Sequence, residues 1–294
     1  MKKFASYILI TMLLLTAVFS GCGGGGGNPG DNPGGNPDNP NGGTERFTHT
    51  VEGVTFDMLC VSGGLTFPTD STVNSFEDDA EATVANTYWI AETEVTYELW
   101  YNVYIWAVGN GYKFDHLEYY PREGSDGARV ELDNSPPVPT GEPTNKKYEP
   151  VTRVCWREVI VWCNALSELA GFSPVYKNGE EVVKDATIYA DFNDLSAPAT
   201  GDRGFRLPTS NEWELAARYK GNDNLNGAIE KGGLYWTPGT YASGATEYAA
   251  NKLGVINPNQ NPTIVVAVYN TSCTAKVKSK NANVLGLYDM SGNV

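Results

Sequence analysis

The chain has 294 residues, with 21 Lys and Arg against 35 Asp and Glu, a net charge of −14 and an isoelectric point near 4.6. That balance cannot build the basic surface that gathers nucleic acid, and two histidines exclude a histidine-rich zinc centre. Hydrophobic residues make up 41% of the chain, enough to bury one sizeable core.

The N-terminus carries Lys2 and Lys3, an apolar run from Tyr7 to Phe19, and then Ser20, Gly21 and Cys22. This is the order of a charged region, a hydrophobic region and a cleavage site, and the run is too short for a permanent membrane helix. Small residues ahead of a cysteine predict a bacterial lipoprotein signal over 1–21, with Cys22 accepting the lipid. Phe19 is less usual than Leu three places before that cysteine, so an ordinary cleaved signal is the alternative. Gly23, rather than Asp, after the cysteine favours the outer membrane, facing the periplasm or the cell surface.

Residues 22–44 are almost wholly Gly, Asn, Pro and Asp. They hold nothing to bury against the entropy of ordering, and so form a flexible tether with a reach of roughly 25 Å.

From residue 45 onward the pattern is globular. A first helix spans 96–108. A second helix spans 156–170, with Cys155 ahead of it where a capping residue sits. A third spans 210–219, opened by Thr209 and Glu212 as a T-x-x-E capping box with Trp213, Leu215, Ala216 and Ala217 on its apolar face. Between these lie long loops at 109–149 and 172–203, of the length that carries function or disorder. With 17 Tyr, 7 Trp, 32 Gly and 17 Pro, the chain is neither a solenoid nor a doubly wound sheet.

Gly204 to Arg218 (GFRLPTSNEWELAAR) and Gly286 to Val294 (GLYDMSGNV) carry more than a helix requires. They resemble the formylglycine-generating enzyme (sulfatase-modifying factor) family over 45–294, and in the family's order Val54 to Phe67 resembles its opening strand, Gly-Gly turn and return strand, Tyr88 to Leu99 its strand-to-helix segment, and Pro150 to Asn164 its next helix. The resemblance implies an α+β domain, a variant of the C-type-lectin-like fold with little regular secondary structure, and incomplete at its C-terminus. Family enzymes oxidise a sulfatase cysteine with oxygen, using copper held by two cysteines downstream of the Gly-Asn-Val block. Neither can be assigned here, so no catalytic residue is named, and copper enters only if a C-terminal continuation supplies the pair. The resemblance also implies structural calcium, with Asn251 and Asn293 as ligands.

The remaining cysteines offer little in their place. Cys155 and Cys163 stand eight residues apart, about 12 Å along one helix, too far for a disulfide or a shared metal. Cys155, at a helix N-terminus, is the best candidate for a reactive thiol, set against the plainer reading of a small buried side chain. Cys60, Cys155, Cys163 and Cys273 allow up to two bridges in any of three pairings. His116 beside Asp115 is not a dyad on sequence adjacency alone. The run Asn222, Asn224, Asn226, Gly227 imitates half an EF-hand loop, but Gly233 stands where the closing Glu belongs, which makes it a surface loop.

Three functional readings follow. One is an exported, lipid-anchored, non-catalytic domain that binds an envelope protein, peptide or glycan, with membrane contact through Cys22. The second is an incomplete copy of the copper oxidase, and the third a truncated, inactive reading frame.

Overall fold

The computed structural model describes residues 16–17, 44–70, 78–115, 120–129, 141–193, 195, 203–245 and 262–294. The linker, Cys22, His116 and Asn251 lie outside these.

A five-stranded sheet forms the spine. Its order across the sheet is Arg46–Val51, Val54–Val61, Tyr88–Ala91, Thr16–Ala17 and Phe205–Arg206, with every adjacent pair antiparallel. Alternation along its strands sends side chains into two separate cores. Met58, Cys60, Trp89 and Phe205 join the helices on one face, while Leu59, Val61, Tyr88 and Ile90 join Leu215, Trp236, Leu287 and Met290 on the other. Two apolar layers on one sheet explain why its central strands contain few polar residues.

Helix α1 (Tyr97–Gly109) follows directly from the sheet, and Thr96 caps it by accepting the Leu99 N–H at 3.3 Å. It is buried on most sides, with Trp100 and Tyr104 stacked at 4.9 Å. Helix α2 (Trp156–Leu169) packs on it, and the Trp162 indole donates to the Trp100 carbonyl at 3.0 Å. Helix α3 (Ser210–Arg218) opens on the expected capping box and lies against the second core. All three begin and end within about a residue of their predicted limits, because caps and apolar spacing are local signals. A short α4 (Thr263–Val266) was not anticipated.

The 54–67 block departs from expectation. Gly63 and Gly64 do make the turn: Gly64 has φ +74°, and a side chain on Gly63 would meet the Asn86 carbonyl carbon at 2.2 Å. The chain after it does not return along Val54–Val61. Leu65–Thr69 pairs instead with Ala80–Val84 in a two-stranded sheet of its own, since Gly64 donates its N–H to Val84 and Ala85.

The described parts of the two long loops hold short elements. Arg122–Glu123 pairs with Val151–Thr152, and Lys177–Asn178 with Glu181–Val182. The second hairpin is pinned from inside the core by Asn164, whose amide donates to the carbonyls of Tyr176 and Val183 while its oxygen accepts the Tyr176 N–H. Among the described residues no helix is long and apolar enough to cross a membrane.

Candidate functional site

Both motifs singled out in the sequence share the core under the strand Tyr88–Ala91, the first bonded to Tyr88 at its start through the Glu212 carbonyl and the second to Glu92 just past its end. Arg206 and Glu212 of the first form a buried two-pronged ion pair at 2.6 and 2.7 Å. Glu212 also accepts from the Thr209 N–H at 2.8 Å, and Thr209 Oγ1 accepts the Glu212 N–H at 3.2 Å. Burial pushes the Glu212 carboxyl up, but Arg206 and the Thr209 bonds outweigh it and hold the group below the usual glutamate value. Arg218 at the far end reaches Asp78, Glu214 and the Pro68 carbonyl. This region spends its polar capacity on itself.

The second motif wraps over the turn between Tyr88–Ala91 and α1. Tyr288 donates its N–H to the Glu92 carbonyl at 2.9 Å, and Leu287 and Met290 are buried beneath. The segment needs unusual backbone: Lys278, Asp289 and Asn293 have φ of 61°, 55° and 83°, and a side chain on Gly292 would stand 2.3 Å from the Val268 carbonyl oxygen. Non-glycine residues in that region are costly unless their surroundings impose it.

A cavity of about 390 Å³ opens here. Its floor is the 91–96 turn, with walls from 54–57 and 276–278, and Tyr148 at the rim. Lys147 and Lys276 set their ammonium groups over the Tyr148 ring at 4.9 and 5.1 Å. Glu92 takes two bonds from Arg46, at 2.7 and 2.9 Å, and another from Lys278. The rim therefore offers fixed charges of both signs beside an aromatic ring, which suits a polar or peptide ligand more than an apolar small molecule.

Behind the rim, Glu94 and Asp289 are each 1% exposed. Glu94 Oε2 accepts the Asn293 amide at 2.9 Å, and Asp289 Oδ2 accepts the Lys278 N–H at 3.0 Å. Among the described residues Glu94 Oε1 and Asp289 Oδ1 have no hydrogen-bond partner. Burial, and then the neighbouring Asp289, push the Glu94 carboxyl well above its usual value, the Asn293 bond only partly opposing. Burial likewise raises Asp289 against its backbone bond. These unspent hard oxygens beside an asparagine fit the donor chemistry of a calcium ion. Asn293 Oδ1 itself accepts the Ala275 N–H at 2.8 Å and keeps a second lone pair.

The thiols divide clearly. Cys60 is disulfide-bonded, while Cys155, Cys163 and Cys273 are free. Cys155 does stand at the N-cap of α2, its N–H donating to Glu158 at 3.2 Å. Burial, with the Glu158 charge adding to it, nevertheless pushes its thiol up to about 11, and burial raises Cys163 further. The helix terminus loses to desolvation, so the half-buried Cys155 is held as the protonated thiol at neutral pH. The described cysteines therefore do not fit a two-thiolate copper site.

His49 sits among Phe47, Phe56, Phe172 and Phe205 at centroid distances of 4.4 to 5.7 Å, and burial lowers it to about 4. Asp115 pairs with Arg157 at 2.8 Å and accepts from Tyr189 at 2.9 Å. The 222–227 run folds on its own bonds, with Asp223 accepting the Leu225 N–H and Asn226 donating to the Ala245 carbonyl. Sequence reasoning missed Glu94, Lys278 and Asp289. The left-handed Lys278 and the pairing of Glu94 with a residue nearly two hundred positions later leave no local signal.

A family model for the sulfatase-modifying factor enzyme 1-like domain matches residues 45–294. A chaperone protein LppX of Paenibacillus barcinonensis is 31% identical over 154 residues, covering 49% of this chain. The chain spans about half the length of that curated relative, 49%. Two solved structures share the fold, each with a TM-score of 0.53. Treponema denticola variable protein 1 is 26% identical, with 85% of this chain and 74% of that one covered. CarF is 28% identical, with 81% and 78% covered.

Proposed function

The chain belongs to the family of sulfatase-modifying factor enzyme 1-like domains, and on that premise we propose a non-catalytic binding protein of the bacterial cell envelope. A lipid on Cys22 holds it to the outer membrane, and the 23–44 tether lets the domain turn to meet an envelope protein, peptide or glycan. The observation that carries this reading is the cavity over the 91–96 turn, lined by charged and aromatic side chains, in a domain whose described thiols suit no copper pair. The chaperone name of the Paenibacillus relative supports a client-holding role. Calcium bound near Asn251 and Asn293 would act structurally, fixing the backbone at Asp289 and Asn293, whose φ angles are left-handed; among the described residues the unpartnered oxygens of Glu94 and Asp289 support this.

The test uses protein processed in a bacterial host and extracted from membranes. Added stoichiometrically, it should suppress light scattering by an unfolded envelope client, and its N-terminal peptide should carry a thioether-linked lipid on Cys22. Lack of protection, together with failure to bind any envelope peptide or glycan tried, would remove the binding reading. Aldehyde formed on a cysteine peptide in the presence of copper and oxygen would put the oxidase in its place.

A further inference from the structure

The sheet contains a vacancy in its own chain order. Tyr88–Ala91 and Phe205–Arg206 run parallel to one another and do not pair directly; each hydrogen-bonds to the two residues Thr16–Ala17 between them. Two ladder spacings separate the flanking strands by roughly 9–10 Å, room for one strand and no more. The filler belongs to the apolar run that the sequence reads as a leader removed before Cys22.

We propose that removal of this leader leaves an open strand slot in the exported protein, and that the slot takes an extended apolar peptide segment of a client. The inference rests on the leader and client-holding readings above.

Two features define the ligand. The first is backbone: with the slot empty, both flanking strands present unpaired N–H and C=O groups towards it, so a guest is gripped from two sides by main-chain bonds in antiparallel register. The second is composition. Neighbouring strands pass between two apolar cores, Trp89 and Phe205 facing one and Ile90 the other. A guest strand is thus covered on both faces, and a continuous apolar run suits it where an alternating one does not. Apolar extended segments of high β-propensity are those that aggregate when exposed, which gives a chaperone its substrate.

The experiment takes the membrane-extracted, processed protein, with the loss of residues 1–21 read from its intact mass. Amide exchange at 88–91 and 205–206 is followed with and without a lysine-tagged synthetic peptide of residues 13–19. Expected are fast exchange of the slot-facing amides of both strands alone, at least tenfold slowing on adding the peptide, and at least tenfold weaker binding when the peptide is N-methylated. Slot-facing amides already protected without the peptide, or a peptide that binds without slowing their exchange, would overturn the slot. A retained leader would overturn the leader reading and the slot with it, while the light-scattering assay still judges the client-holding role by itself.

Discussion

The corner at Glu212 and the corner at Glu94 both bury a glutamate against the strand Tyr88–Ala91, yet their electrostatics are opposite. Glu212 meets a two-pronged arginine and a helix cap, and its carboxyl is held down. Glu94 meets one amide and a second carboxyl, and is pushed up. Buried charge is tolerated when every lone pair is answered. The first corner is built to hold the sheet and α3 together. The second keeps unanswered oxygens behind a cavity, the arrangement expected where stability yields to a ligand.

Breaking the first corner should cost most. Arg206→Met leaves Glu212 charged and uncompensated, and should lower unfolding stability by about 3–5 kcal/mol in urea titrations. The double variant Arg206→Met with Glu212→Leu should recover part of that loss. Equal losses for single and double variants would show that the pair is not coupled.

Next is His49, which packs on Phe205 beside the first corner. Its folded value, about 4, lies below the unfolded 6.5, so between those pH values the unfolded chain binds more protons. The stability from a neutral His49 is full above about pH 6.5 and is lost as pH falls through about 4, a loss of about 3 kcal/mol. His49→Phe should flatten this acid limb in thermal melts between pH 4 and 7. An unchanged limb would place the titrating group elsewhere.

The second corner should answer in the opposite direction. Raised carboxyls oppose folding as pH climbs, because the unfolded chain gives up its protons first. Glu94→Gln, which keeps an oxygen for Asn293 and adds a donor for Asp289, should raise stability at pH 7.5 by about 1 kcal/mol. If calcium fills this corner, the same variant should lose the melting shift that calcium produces; a destabilised variant with an unchanged calcium shift would contradict both expectations.

The smallest effect separates the thiols. In native protein Cys273, exposed, should alkylate fast, whereas Cys155 and Cys163 should resist until denaturant is added. Rapid native labelling of Cys155 would restore the reactive-thiol reading.

Legibility followed the range of the interactions. The capping box at Thr209 and Glu212 and the Gly63-Gly64 turn are decided within four residues, and each stands where the sequence predicts. The return strand after Gly64 does not, because its partner was chosen by Val84 and Ala85 beyond the next loop. Cys155 shows the same limit in chemistry: its helix terminus is local and readable, but the burial that overrules it comes from packing.

The sequence by itself determined the family, the three helices, the acidic charge and the leader-like N-terminus, since composition, periodicity and motif order are properties of neighbouring residues. Only the tertiary structure decided that Glu94 meets Asp289, that Lys278 turns left-handed to reach Glu92, and that the sheet leaves one strand position to the apolar N-terminal run. Those outcomes join residues far apart in the chain, where desolvation and close packing, rather than local propensity, set the free energy.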